Sequence, residues 1–500
     1  MHQEYIAVFD VGKTNKKLII YDTSLTPVET AYTQIDEIVT DGIHFENIDE
    51  IVSWLKRTLA DFARTYRISA VSVATHGATA LCLDGQGDLA VPPVAYTTEA
   101  DESFREEFFA TFGDPVTLQK ETCTAEIGSM VNIAKLLFFM KKTYPAQFEK
   151  IQTVLSYPQY FGYILTGNVG AEPTYTGCHT YLYDFHRQRY SHVAHELGIA
   201  HALPQDIREP WSVLGTVTPK IAQETGLSQD CIVTCGIHDS NASLLPYMVK
   251  GYENFALNST GTWCVGMHPT NTLQLHDNEL GKLVFYFLSA YNTPVKSSIF
   301  MGGLEYDTYT SLLQEITGID EPPPLDLHTY ERIIREQQLF ILPSVVHGTG
   351  IFPDARPRAI AHDDAFSLER IRAGTYPDFF KEYTTAYAVL TLSLALQTRQ
   401  ALSLIGYDGT GTLFIEGGFR NNAAYNTLLT ALFPRAEVVL TNLQEATAFG
   451  AALLGKAALD TVRPEALGEL FTIETSAVEK QTFSELDSYK KRFLQLLTRQ

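Results

Sequence analysis

Apolar runs broken by short polar turns divide the chain into strands and helices from its first residues. Tyr5-Ile-Ala-Val-Phe-Asp10 and Lys17-Leu-Ile-Ile-Tyr-Asp22 flank the polar stretch around Gly12, Lys13 and Thr14, a pattern that predicts a β-hairpin. Half the chain later, Tyr252 to Met267 repeats the pattern around Ser259-Thr260-Gly261-Thr262. Cys231-Ile-Val-Thr234 reads as a strand that gives way to the small polar run Gly236-Ile-His238-Asp239-Ser-Asn-Ala-Ser243. Thr412-Leu-Phe-Ile-Glu416 reads as another strand, followed by Gly417-Gly418 and a helix start at Asn422. Helical periodicity covers residues 48–65, 131–142 and 383–405, and a further strand lies near Ala70. Strands and helices in alternation imply a mixed α/β layer architecture.

Five hundred residues exceed what one core usually supports, so two domains are expected. The boundary is placed in the stretch Leu244 to Gly251, read as a link, giving domains 1–246 and 247–500. The 37 basic and 58 acidic residues leave a net charge of −21, which disfavours nucleic acid and anionic membrane as partners and suits a neutral small substrate. No apolar run approaches the roughly 18–20 residues of a membrane helix. The first ten residues enter a strand without a basic leader, so a cytoplasmic location is expected.

Several motifs invite chemistry that their spacing refuses. Gly12-Lys13-Thr14 ends like a phosphate-binding P-loop, but Ala7 occupies the place of that motif's first glycine and a strand, not a helix, follows. His192, His195 and His201 match neither zinc-helix spacing. Cys231 and Cys235 would be roughly 13 Å apart on an extended strand, beyond the ~7 Å limit of a disulfide, so the six cysteines read as reduced core residues.

The remaining motifs are consistent with one another. A carboxylate at the end of a buried strand, with Gly236 before it and short side chains after it, faces a cleft unobstructed, which is what a general base needs; that residue is Asp239. His238 beside it is either an orienting partner or a packed strand-end histidine. The two hairpin turns offer backbone N–H groups and hydroxyls to phosphate oxygens from opposite sides. Taken singly each is an ordinary hairpin; their occurrence together with Asp239 favours the phosphate reading.

On these residues the chain resembles the FGGY carbohydrate kinases nearly end to end. Asp10-Val-Gly12-Lys-Thr14-Asn-Lys-Lys17 resembles that family's first phosphate motif, Gly236-Ile-His-Asp239 its catalytic-base motif, Ser259-Thr-Gly261-Thr262 its second phosphate motif, and Gly417-Gly418 with Asn422 its adenosine motif. Asn132, Tyr163 to Gly167, Glu172-Pro-Thr174 and Glu445 to Ala452 match between them. The resemblance implies a two-domain actin-like, ribonuclease-H-like fold with duplicated domains and a cleft between them. It also implies ATP and Mg²⁺ as cofactors, Asp10 as the metal ligand, and Thr75, His76 and Gly77 with Asp239 at the sugar. Lys17 either assists the phosphates or is solvated. The His76-Gly77 pair resembles xylulose kinases, whereas Ser259-Thr-Gly-Thr-Trp263 resembles fuculose and rhamnulose kinases, and Tyr96 to Asp101 departs from the Asp- and Arg-bearing segment of relatives. The expected activity is phosphorylation of a ketose hydroxyl; an actin-like ATPase and a silent sugar-binding regulator are the alternatives, and a homodimer is left open.

Overall fold

The computed structural model describes residues 3–128, 130–443 and 445–498. They build two seven-stranded sheets whose central strands follow one plan. In the first, Tyr5–Val11 runs antiparallel to Asn15–Asp22, which pairs with Pro27–Gln34. On its other side Tyr5–Val11 runs parallel to Ile68–Thr75, which is parallel to Ile232–Thr234 and Ile237–His238. In the second, Phe255–Thr260 runs antiparallel to Cys264–Pro269, which pairs with Pro294–Phe300. Across its other edge Phe255–Thr260 is parallel to Gly411–Gly417, and that strand to Ala436–Thr441. The duplication suggested by two hairpins therefore extends to whole sheets, and the expected two-domain α/β architecture is present.

The sequence pattern explains the layering. Ile6 to Phe9 and Val71 to Ala74 are buried on both faces of their strands, as parallel strands covered by helices require. The helix Ile48–Ala63 buries Ile48, Ile51, Leu55 and Leu59, spaced three and four apart, against that sheet. In the second half the helix Tyr383–Leu404 is buried on nearly every face, which is why its sequence is apolar without a polar stripe.

Two helices tie the halves together. Asp239–Val249 leaves the first sheet, yet its Leu244 and Tyr247 pack with Phe255, Leu257 and Phe414 of the second. Ala446–Asp460 leaves the second sheet and lays Ala448, Ala451 and Ala452 against Ile6 and Val8 of the first. The helices touch where they cross: a Cβ added to Gly450 would stand 2.0 Å from the carbonyl oxygen of Ala242. Beside that contact the hydroxyls of Ser243 and Thr447 meet at 3.0 Å. The stretch from Leu244, read as a link, is the second half of the first of these helices, which is unbroken through Val249. Its Leu and Tyr residues are core of the second half, which is why it carries no linker composition.

All six cysteines are buried and unpaired, as expected. Among the described residues no helix is long and apolar enough to cross a membrane.

Candidate active site

The two strand ends that carry acids lie in one sheet. Asp10 is the penultimate residue of Tyr5–Val11, and Asp239 opens the helix that follows Ile237–His238. Both strands flank Ile68–Thr75, with His238 in register with Thr75 and Asp10 with Ala74. Asp10 is 9% exposed, and its carboxyl is pushed up to about 7, first by burial, then by the charge of Asp239, with Lys17 opposing. Asp239 keeps a third of its side chain open (33% exposed). Its Oδ1 accepts from the backbone N–H of Ser240 at 2.6 Å. Its surroundings raise it above the usual carboxylate range through desolvation, against a lowering pull from His76. A carboxylate so raised is a better proton acceptor near neutrality than an ordinary aspartate.

His238 is packed and connected. Its Nε2 lies 3.2 Å from Asp239 Oδ1, and its Nδ1 lies 3.3 Å from Asn241 Nδ2. With Asn241 donating to Nδ1, the neutral ring carries its proton on Nε2, which has Cys178 Sγ as hydrogen-bond partner at 3.3 Å and lies 3.2 Å from Asp239 Oδ1. The ring is packed at the strand end beside the acid.

His76 continues the strand Ile68–Thr75, and its backbone N–H donates to Val11 O at 3.0 Å. Its Nδ1 lies 2.7 Å from the carbonyl oxygen of Gly77 and so must carry the ring proton. Nε2 is then an acceptor, buried and without a partner. Burial also lowers the ring's tendency to protonate. Thr75 is fully buried, its hydroxyl donating to His76 O at 3.0 Å, so it shapes the wall. Around His76 stand Tyr96, Lys13 and Glu46, the last of which no motif marks. Tyr96 makes a ring contact with a 5.6 Å centroid separation. Glu46 lies 4.0 Å from His76 Nε2. Lys13 pairs with Glu46 at 2.5 Å and with Glu37, and sits 4.6 Å from the Tyr96 ring centre. Lys13 thus turns toward His76. Lys17 is committed across the halves to Glu445 at 2.5 Å.

The second half supplies a cavity of about 520 Å³. Gly261, Thr262, Gly418 and Asn422 line it, joined by Tyr306 and Tyr387, which the sequence did not single out. Gly417 makes the turn beneath it: its φ is +78°, and a Cβ there would lie 1.9 Å from Thr260 O. Thr260 Oγ1 donates to Glu416 O and accepts from Phe419 N at 3.0 Å, fixing the glycine pair to the phosphate-type turn. Asn422 caps the helix Ala423–Leu432, its Oδ1 accepting from Tyr425 N and its Nδ2 donating to Tyr387 Oη, each at 3.0 Å. A larger cavity, about 650 Å³, has Arg105, Glu126, Lys135 and Trp263 in its wall and none of Asp10, His76 or Asp239. Arg105 and Lys135 are already paired with Glu126, and Lys282 donates to Asn278 O at 2.8 Å.

The three histidines near residue 195 form no metal site. His192 uses Nδ1 on Glu121 Oε1 at 2.9 Å and Nε2 on Phe112 O at 2.8 Å, while His195 and His201 are exposed.

Comparison with known proteins agrees with this geometry. Residues 5–246 match the description "FGGY family of carbohydrate kinases, N-terminal domain". Residues 252–464 match "Carbohydrate kinase FGGY, C-terminal domain". The chain belongs to the FGGY family of carbohydrate kinases. This FGGY chain is 25% identical over 268 residues to a rhamnulokinase of Halalkalibacterium halodurans, covering 52% of this chain and 55% of that one. The match thus spans about half the length of that relative. A carbohydrate kinase structure from Novosphingobium aromaticivorans superposes with a TM-score of 0.79 at 25% identity, covering 99% of both chains. A xylulose kinase from Lactobacillus acidophilus gives 0.79 at 16% identity over 98% of this chain and 96% of that one, a likeness of fold. The two sheets of this FGGY chain are those of the family's actin-like architecture.

Proposed function

We propose that this chain transfers the γ-phosphoryl group of ATP to a hydroxyl of a ketose, with Asp239 as general base. The observation that carries the reading is the convergence of two acids, Asp10 and Asp239, at the mouth of one sheet, joined through Lys17 and Glu445 to the half that holds the nucleotide-sized cavity. The relatives named rhamnulokinase and xylulose kinase support a pentulose or 6-deoxyhexulose as acceptor. The family limits at 246 and 252 support a division of the chain near residue 246.

Asp10 fits a Mg²⁺ ligand. Its carboxylate is a hard oxygen donor, and the burial and the repulsion from Asp239 that raise it are both offset by a divalent cation. Bound there, Mg²⁺ supplies charge neutralisation on the phosphoryl oxygens. The rest is the chain's own work. His76 Nε2, an acceptor without a partner, takes a hydrogen bond from one sugar hydroxyl. Tyr96 and the Lys13–Glu46 pair bound the same space. Asp239 accepts the proton of the attacking hydroxyl, held by the Ser240 N–H with His238 Nε2 3.2 Å away. The turns at Gly12–Thr14 and at Thr262, the latter closed by Gly261 N–H donating to Trp263 O, offer backbone N–H groups and hydroxyls to the transferring oxygens. Gly417 and Gly418 floor the adenosine beside Asn422.

Steady-state ADP release over a panel of ketoses and polyols tests this reading. Turnover dependent on a ketose is the expected result. Hydrolysis indifferent to sugar would make the chain an ATPase, and sugar binding without turnover a regulator. A second expectation concerns Asn422→Ala. Losing the cap and the Tyr387 contact removes about 1 kcal/mol from the helix start, so KM for ATP rises about five- to tenfold with kcat changed less. An unchanged KM would remove Asn422 from the nucleotide site.

A further inference from the structure

Cys178, His179 and His238 converge behind Asp239. All three are buried, and one ligand atom from each lies within 4.8 Å of the others. Cys178 Sγ is 3.3 Å from His238 Nε2, and His238 Nε2 is 3.2 Å from Asp239 Oδ1. In a tetrahedral zinc site, with bonds of about 2.0–2.3 Å, neighbouring ligand atoms stand about 3.3–3.6 Å apart. The separation of Cys178 Sγ and His238 Nε2 therefore already has the edge length of a metal polyhedron.

Gly77 keeps the space between the rings clear. A Cβ at that position would lie 2.9 Å from His179 Nε2 and 3.1 Å from His238 Nε2, so both nitrogens border the room its missing side chain leaves. A cluster held by hydrogen bonds alone would use its polar atoms, yet His179 Nδ1 and Asn241 Oδ1 are buried without partners. Burial also keeps both imidazoles neutral, each lowered to about 3, which is the ligand form. The spare oxygen of Asn241 has a use here. A cation on His238 Nε2 moves the ring proton to Nδ1, and the neighbouring amide, turned over, accepts it.

We propose that Cys178, His179 and His238 form a three-residue site for a borderline-soft divalent cation of the Zn²⁺ class, and that the bound ion silences the enzyme by setting its charge on His238 Nε2, beside Asp239, where it holds the electron pair that would accept the proton. The silencing rests on the kinase reading; the site does not. Binding turns the Cys178 thiol into a thiolate and releases its proton to solvent, with no electron transfer. The nitrogen and sulfur donors exclude Mg²⁺, which demands oxygen ligands, so the ion that serves ATP does not fill this site.

Titration of the full chain with Co²⁺, read by thiolate-to-metal charge-transfer absorption, tests the site without relying on activity. The wild type is expected to bind one equivalent with a thiolate band that one equivalent of Zn²⁺ bleaches. Cys178→Ala and His179→Asn, the latter chosen because residue 179 has a φ of +34° that asparagine tolerates, should lose the band and about 100-fold or more in affinity. No thiolate band in the wild type, or one that survives Cys178→Ala, overturns the site. With saturating Zn²⁺ at fixed Mg·ATP and sugar, wild-type turnover should fall at least tenfold, whereas Cys178→Ala keeps whatever rate it has without Zn²⁺. A Zn²⁺-loaded wild type that turns over at its metal-free rate overturns the silencing. If no sugar supports turnover, the kinase reading fails and the Co²⁺ band still decides the site.

Discussion

Asp239→Asn is expected to fold and bind nucleotide like the wild type while sugar phosphorylation falls by about 10² to 10⁴-fold. The amide keeps the size of the carboxylate, and its oxygen can still accept from Ser240 N, so the helix start survives. It cannot accept a proton, so the attacking hydroxyl keeps its own until the oxygen is nearly bonded. The nucleotide cavity lies in the other half and shares none of these contacts. Steady-state kinetics with ATP binding measured by calorimetry separates the outcomes. Activity within threefold of wild type would place the base elsewhere, and lost ATP binding would mean the substitution disturbs more than proton transfer.

Gly450→Ala carries the largest expected effect outside the acids. On helix propensity alone, alanine in the interior of Ala446–Asp460 should stabilise by up to about 1 kcal/mol. The added methyl, however, would sit 2.0 Å from Ala242 O and 2.6 Å from its carbonyl carbon, both backbone atoms of a packed helix. Neither can turn aside as a side chain would, so the two helices must separate. Overpacking of this kind costs about 1–3 kcal/mol and more where backbone must move, so it outweighs the propensity gain. Chemical denaturation should show a net loss of stability, and kcat/KM for the sugar should fall at least tenfold because the two halves no longer meet as built. A variant more stable than wild type would mean that the helices do not touch there.

What the sequence made legible was whatever a short segment fixes by itself. The hairpins Tyr5 to Asp22 and Tyr252 to Met267, and the strand and glycine turn at Gly417, are local patterns, and each folds where it was read. Asp239 was singled out because it follows an apolar strand, and Asp10 because its hairpin resembles a known motif. Glu46 escaped, and Tyr96 and Lys13 were named without their meeting at His76, because that meeting depends on three loops from residues 13, 46 and 96, and no periodicity records it. Tyr306 and Tyr387 escaped for a related reason: each lies within a helix whose facing is set by packing. Cys178 and His179 gave no spacing signal either, since their partner His238 lies 60 residues further on from Cys178. The link read at Leu244 is the reverse case: the family limits fall there, but the segment is helix rather than loop. A stretch that looked like a joint is core, because the joint of this fold is a pair of helices and not a loop.

The crossing at Ala242 and Gly450 also limits how the enzyme can move. Backbone pressed on backbone leaves the two helices no room to slide past each other there. Asp239 lies three residues from Ala242, about 4.5 Å along the helix, so the place of the acid is tied to the one spot where the halves are locked.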